Sequence, residues 1–118
     1  LLLFLNMNYP KIQFFLYLLL ILIGSSIPGK SVPTIFTLSW DKLLHVTEYF
    51  LLGVLGYRAF EERNKNITII ISVFGILFGC FDEMWQSFIP GRYPSYYDVI
   101  ADGIGVILGV TTIHIIKK

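Results

Sequence analysis

Four apolar stretches, each close to the length of a membrane-crossing helix, restrict what this chain can fold into. They cover residues 12–27, 43–60, 67–89 and 99–116, and short polar segments separate them. A helix needs about 20 apolar residues to cross the hydrocarbon core of a bilayer, and short connections make consecutive helices antiparallel neighbours. We therefore predict an all-α integral membrane protein, a bundle of about four transmembrane helices with short loops, in one domain over residues 1–118.

The composition also indicates a membrane-embedded chain. Of the 118 residues 55% are hydrophobic and 14% are charged, and the mean hydropathy is +0.71. Soluble domains average about 25% charged residues. The formal net charge of +1 gives no basic surface for nucleic acid, and a single cysteine, Cys80, excludes an intrachain disulfide. We expect the lipid bilayer as the environment and no nucleic-acid partner.

The N-terminal stretch has some features of a signal peptide, because Lys11 precedes an apolar run that ends at Gly24, Ser25 and Ser26. This end lacks the usual small-residue cleavage pattern. We therefore expect the stretch to be retained as a helix. The sequence begins at Leu1, and Met7 is an alternative start.

The distribution of lysine and arginine predicts the orientation. With four crossings, the N-terminus, the second loop and the C-terminus share one side of the membrane. That side carries Lys11, Arg58, Arg63, Lys65, Lys117 and Lys118, whereas the other side carries Lys30, Lys42 and Arg92. Cytoplasmic loops hold the excess of positive charge, so we predict that both termini are cytoplasmic.

Polar residues gather at the opposite, outward end of three stretches. They are Asp41, Lys42, His45 and Glu48 on the second, Asp82, Glu83, Gln86 and Arg92 on the third and just beyond it, and Asp98 and Asp102 on the fourth. An ionisable residue in a membrane is costly, which makes it a functional-site hypothesis by default. The whole set is our candidate ligand-binding cluster.

Helical spacing indicates how these residues are presented. Asp41, His45 and Glu48 follow i, i+4 and i+7, so they share one helix face. On the fourth stretch, Gly105 and Gly109 continue the stripe of the two aspartates and form a G-x-x-x-G pattern that lets another helix approach closely. We expect the third helix to pack there and to complete one polar cluster inside the bundle.

Each residue also has a purely structural interpretation. Asp41 could only complement a helix N-terminus, Arg92 could only pair with Asp98 or Glu83, and His45 could only make an interhelical hydrogen bond. Six of the eight acids lie on the outward side, against three basic residues. This excess favours acids that are protonated, neutralised by a cation, or matched by a cationic partner.

Two segments carry a family resemblance. Residues 41–53, DKLLHVTEYFLLG, and residues 82–92, DEMWQSFIPGR, followed by Asp98 and the two glycines, resemble the signatures of VanZ-like membrane proteins. In that family the position of Asp102 is often asparagine, so this chain carries an additional acid. The resemblance implies a small multi-pass protein of the bacterial cytoplasmic membrane, within the cell envelope. The member that gives the family its name is associated with low-level teicoplanin resistance. The family pattern assigns no catalytic role to the matching residues of this chain.

We predict a non-enzymatic envelope protein whose outward cluster binds a polar or charged ligand or partner. The candidate ligands are an envelope precursor, a lipid head group or a glycopeptide-like molecule, and a homo-oligomer is left open. We expect no cofactor and no metal, although Asp41, His45 and Glu48 with the acids of the third helix are an alternative divalent-metal set.

Two other functions are alternatives. In an enzyme, Asp82 or Glu83 would be the base, His45 an acid or ligand, and Arg92 a phosphate clamp, but no nucleophile stands in a recognisable motif. In an ion or proton transporter, Glu48 and His45 would form part of a relay. The inner halves of the stretches continue such a path only weakly, through Thr47, Ser72 and Thr111.

Overall fold

A computed structural model shows the chain as a bundle of α-helices. It describes residues 9–27, 38–61, 66–91 and 96–117. For residues 38–41 it describes the backbone alone. Within these ranges the helices are α1 (Tyr9–Ser25), α2 (Leu38–Phe60), α3 (Ile67–Gln86) and α4 (Tyr96–Ile116), and no β-strand occurs. The predicted all-α class is confirmed.

The helix ends differ from the ends of the apolar stretches. α2 begins at Leu38 instead of residue 43, and α4 begins at Tyr96 instead of residue 99, because helical hydrogen bonding continues through the polar residues that flank an apolar run. α3 ends at Gln86, three residues before the predicted end. A turn follows that leads to Gly91, whose φ of 77° favours glycine.

Two of the helices are long and apolar enough to cross a membrane. They are α3 and α4, with 20 and 21 residues. α1 is apolar but has 17 residues, and α2 has 23 residues with charged side chains at both of its ends. Length and composition therefore support two of the four predicted crossings.

α2 is the central helix and packs most extensively against α4. Tyr49 and Leu52 on α2 and Val106 and Val110 on α4 are fully buried. Burial of apolar side chains in such a seam is the main packing contribution within the described part of the bundle. The seam also positions the N-terminal halves of both helices, which carry the polar residues.

Glycine allows the backbones of α2 and α4 to touch. A Cβ atom at Gly105 would lie 2.4 Å from the carbonyl oxygen of Val46, and one at Gly109 would lie 2.1 Å from that of Phe50. The glycine stripe therefore permits close helix approach, with α2 as the partner. The prediction that α3 packs on these two glycines is wrong, whereas Asp102 of the same stripe does lie against α3, at Gly79.

Candidate functional site

Polar side chains from all four helices meet at one end of the bundle. The C-terminal ends of α1 and α3 and the N-terminal ends of α2 and α4 form this end. We define the polar cluster as Ser25, Lys42, His45, Asp82, Glu83, Gln86, Asp98 and Asp102. Its members are buried except for Lys42, which is half-buried. The structure thus brings most of the predicted site residues into one place.

Basic groups of α2 bridge the two acids of α4. Nδ1 of His45 lies 2.6 Å from Oδ1 of Asp102, and Nε2 of the same ring lies 3.9 Å from Oδ1 of Asp98. The ammonium group of Lys42 donates to Asp98 and forms an ion pair with it. Lys42 and His45 are three residues apart, so they present both groups from one face of α2.

The acids of α3 complete the cluster. The hydroxyl of Ser25 on α1 donates a hydrogen bond to Oδ1 of Asp82. Asp82, Glu83 and Asp102 offer carboxylate oxygens that all lie within 4.8 Å of one another. His45, Glu83 and Asp98 also offer ligand atoms within 4.8 Å of one another, so Glu83 belongs to two groups with the spacing of metal ligands.

A glycine on α3 makes room for Asp102. A Cβ atom at Gly79 would lie 3.0 Å from Oδ2 of Asp102, so a larger residue would press against the carboxylate. Asp102 is fully buried. Among the described residues its Oδ2 atom has no hydrogen-bond partner, and neither has the hydroxyl of the fully buried Tyr49. The Tyr49 hydroxyl is within electrostatic range of Asp102, Asp82 and Glu83.

Three predicted site residues are not among the members of the polar cluster as defined here. Glu48 is half-buried and is absent from the sets of acids that gather within 4.8 Å in the described part of the chain. Its backbone carbonyl accepts a hydrogen bond of 2.6 Å from the Tyr17 hydroxyl at the contact with α1. Arg92 and the side chain of Asp41 lie outside the described residues.

Sequence reasoning missed three residues that shape the cluster, namely Ser25, Tyr49 and Gly79. Ser25 ends the first apolar stretch, at the level where antiparallel helices place the acids. Tyr49 follows His45 by four residues, so it continues the same helix face. These positions were the available signals. The residue types themselves gave none, because serine, tyrosine and glycine are common in apolar helices for other reasons.

An apolar groove lies beside the cluster, between the end of α3 and the start of α4. Its volume is about 810 Å³, and its walls are Cys80, Glu83, Met84, Ser87, Tyr96, Tyr97, Val99 and Ile100. Glu83 belongs both to this wall and to the polar cluster. The groove therefore combines mostly apolar walls with one buried carboxylate.

The opposite end of the bundle has simpler contacts. The hydroxyl of Tyr57 and Nδ1 of His114 are 2.9 Å apart, and the ammonium group of Lys117 donates to Glu61 at 2.8 Å. Both contacts join α2 or its C-terminal end to α4. Glu61 is the acid described at this end and is paired with Lys117, whereas the cluster gathers four buried acids.

The surface and the site together define a class of protein. Large apolar side chains are exposed along every helix, including Leu20, Leu51, Leu77 and Ile107, while polar groups are gathered inside. Such a distribution is typical of a helical membrane protein.

The chain belongs to the VanZ/LLP1 family, whose family model matches residues 3–117. The predicted resemblance is therefore confirmed over nearly the whole chain. A similar protein, an uncharacterized protein of Schizosaccharomyces pombe, is 31% identical over 71 residues, which are 59% of this chain and 44% of the relative. The match thus spans less than half of that relative's length. No solved structure matches the chain.

Proposed function

We propose that this protein is a multi-pass membrane protein that binds a lipid in the groove between α3 and α4, with the polar head group at Glu83. One observation carries the proposal: the walls of the apolar groove include a buried carboxylate, Glu83, that belongs to the polar cluster. An acyl chain suits apolar walls. A carboxylate forms a charge-assisted hydrogen bond with an ammonium group and repels an anionic head group, so we expect a head group that carries an ammonium group.

The exposed surface supports four crossings. α1 exposes Leu16, Leu20 and Ile23, and α2 exposes Leu43 and Leu51. These side chains belong to the two helices that fall short of the length and composition expected for a span. In water they would form contiguous apolar patches of the kind that mark membrane surfaces, so we place α1 and α2 in the bilayer beside α3 and α4.

The charge distribution supports an outward-facing cluster. Lys11, Arg58 and Lys117 are at the end opposite the cluster, together with the basic residues of the second loop in the sequence. The positive-inside preference places that end and both termini in the cytoplasm. The cluster and the mouth of the groove then lie toward the outer leaflet.

Among the predicted ligands, a lipid head group fits these observations best. The groove has mostly apolar walls and lies beside the cluster, which suits a molecule with an acyl chain and a polar head group. A similar sequence also occurs in a fission yeast, so a ligand found in both bacterial and yeast membranes is favoured over a glycopeptide-like molecule or an envelope precursor. A lipid also requires no catalytic step.

The proposal predicts selective lipid retention. The protein is reconstituted with equal phosphatidylethanolamine and phosphatidylglycerol, extracted in mild non-ionic detergent with a chelator present, and its retained lipids are quantified by mass spectrometry. We expect enrichment of phosphatidylethanolamine. A hydrogen bond to a charged group contributes about 1.5–3 kcal/mol, so Glu83→Gln should lower the enrichment about tenfold. The control Glu61→Gln makes the same change at the opposite end of the bundle and should preserve the enrichment.

A second pair of variants tests the groove itself. Met84→Trp fills a wall position of the groove, whereas Leu77→Trp adds the same side chain two turns earlier on α3, outside the groove. We expect the first to lose retained lipid and the second to retain it. Equal lipid composition in wild type, Glu83→Gln and Met84→Trp would refute the proposal.

A further inference from the structure

We infer that Asp82, Glu83 and Asp102 form a binding site for a hard divalent cation. This site goes beyond the proposed lipid function and does not rest on it, since it requires only the interior of the polar cluster. Two of its acids, Asp82 and Asp102, are absent from the groove wall. Glu83 is common to both sites, so the lipid test is run with a chelator and the cation test without added lipid, and the two inferences can fail separately.

The spacing and chemistry of the acids fit such a cation. Their three carboxylate oxygens lie within 4.8 Å of one another. Two oxygens on opposite sides of Ca²⁺, each at a bond length of about 2.4 Å, are about 4.8 Å apart. Mg²⁺ and Mn²⁺ have shorter bonds, so the three carboxylates would have to move slightly closer together to bind them. An all-oxygen set of carboxylates is what Mg²⁺, Ca²⁺ and Mn²⁺ prefer.

Neighbouring donors hold the carboxylates in place. The Ser25 hydroxyl donates to Oδ1 of Asp82, and His45 is bonded to Oδ1 of Asp102. Carboxylates that bind metals are commonly oriented by hydrogen bonds of this kind from outside the ligand set. Oδ1 of Asp102 is bonded to His45, and the other oxygen, Oδ2, lies beside Gly79 of α3.

A second observation comes from Tyr49, a residue outside the set of acids. The hydroxyl of Tyr49 is fully buried, lies within electrostatic range of Asp82, Glu83 and Asp102, and has no hydrogen-bond partner among the described residues. Oδ2 of Asp102 is in the same condition. Buried polar groups are normally satisfied. A cation with a bound water would satisfy both, through a metal–oxygen bond to Asp102 and a hydrogen bond to Tyr49.

The alternative set of His45, Glu83 and Asp98 is less suitable. Asp98 already forms an ion pair with Lys42, whose positive charge would repel a cation, and His45 is engaged with Asp102. The inferred site therefore shares Asp82 and Glu83 with the metal set that the sequence offers, but Asp102 takes the place of Asp41, His45 and Glu48. It also replaces the expectation that no metal binds.

Manganese is a direct probe of the site. The tag-free protein in non-ionic detergent, without added lipid, is titrated with Mn²⁺, and free Mn²⁺ is followed by electron paramagnetic resonance. We expect saturable binding of about one Mn²⁺ per chain, displaced by Ca²⁺ or Mg²⁺. Asp102→Asn should weaken binding at least about tenfold, Ser25→Ala about tenfold, and the control Glu61→Gln should leave it unchanged.

The folding of each variant is checked by circular dichroism and thermal unfolding without cation. Absence of saturable binding in the wild type would overturn the inference, and so would wild-type affinity in folded Asp102→Asn. If Asp102→Asn does not fold, Ser25→Ala decides, because it keeps every ligand. Weaker binding in that variant supports the site, and unchanged binding refutes it.

Discussion

At the scale of single residues, His45 connects the two acids of α4. Its ring is bonded to Asp102 at 2.6 Å and lies 3.9 Å from Asp98, and it is buried with both of them. A buried carboxylate without a partner is costly. The imidazole therefore stabilises the bundle by satisfying an acid, in addition to any role in ligand or cation binding.

Removal of this ring should destabilise the protein. We expect His45→Ala to lower the free energy of unfolding by about 1–3 kcal/mol, because it leaves the Asp102 carboxylate without its donor. The control His114→Ala breaks the half-buried contact with Tyr57 and should cost about 0.5–1.5 kcal/mol. Thermal unfolding of detergent-solubilised protein compares the two variants.

A double variant checks the cause of the loss. Asp102→Asn replaces the charge with a neutral amide, so in the His45→Ala background it should recover part of the lost stability. Purely additive losses would contradict the account of His45.

The acids of the cluster could be predicted from sequence, because a charged residue in an apolar stretch has few explanations. Asp82, Asp98 and Asp102 are all buried at one end of the bundle, as the spacing indicates. Ser25 and Tyr49 could not be singled out, since their importance depends on which atoms approach them from other helices. A ligand role for these residues stays a prediction.

At the scale of helices, the contact between α2 and α4 positions the cluster. Gly105 and Gly109 bring the two backbones together, and this contact places His45 beside Asp102. The G-x-x-x-G pattern predicts a close approach but carries no information about which helix approaches. That choice depends on complementary surfaces, such as Gly53 on α2, where a Cβ would lie 2.5 Å from the carbonyl oxygen of Val106.

A methyl group in this seam should separate the helices. A Cβ at Gly109 would lie 2.1 Å from the Phe50 carbonyl oxygen, whereas one at Gly24 on α1 would meet nothing within 4 Å. We expect Gly109→Ala to destabilise the protein by about 1–3 kcal/mol through overpacking, and Gly24→Ala to be neutral or stabilising. Thermal unfolding measures both, and equal stability of the two variants would contradict the close contact.

At the scale of the whole molecule, the two ends of the bundle differ in chemistry. One end holds four buried acids with Lys42 and His45, and the other holds exposed basic residues and the pair of Lys117 with Glu61. Hydropathy predicts the four helices because each helix has its own apolar stretch. It predicts the crossings less well, since α2 carries charges at both ends and α1 is short.

The proposed role depends first on which side of the membrane the cluster faces. The exposed Cys80 is first replaced by serine. Single cysteines are then introduced at two exposed positions, Ser87 near the cluster and Asn66 at the opposite end of the bundle. Intact cells are treated with a membrane-impermeant thiol reagent, and permeabilised cells show that both positions can react. We predict labelling at position 87 and none at position 66 in intact cells. Labelling at position 66 alone would place the cluster in the cytoplasm and contradict a site for lipids of the outer leaflet.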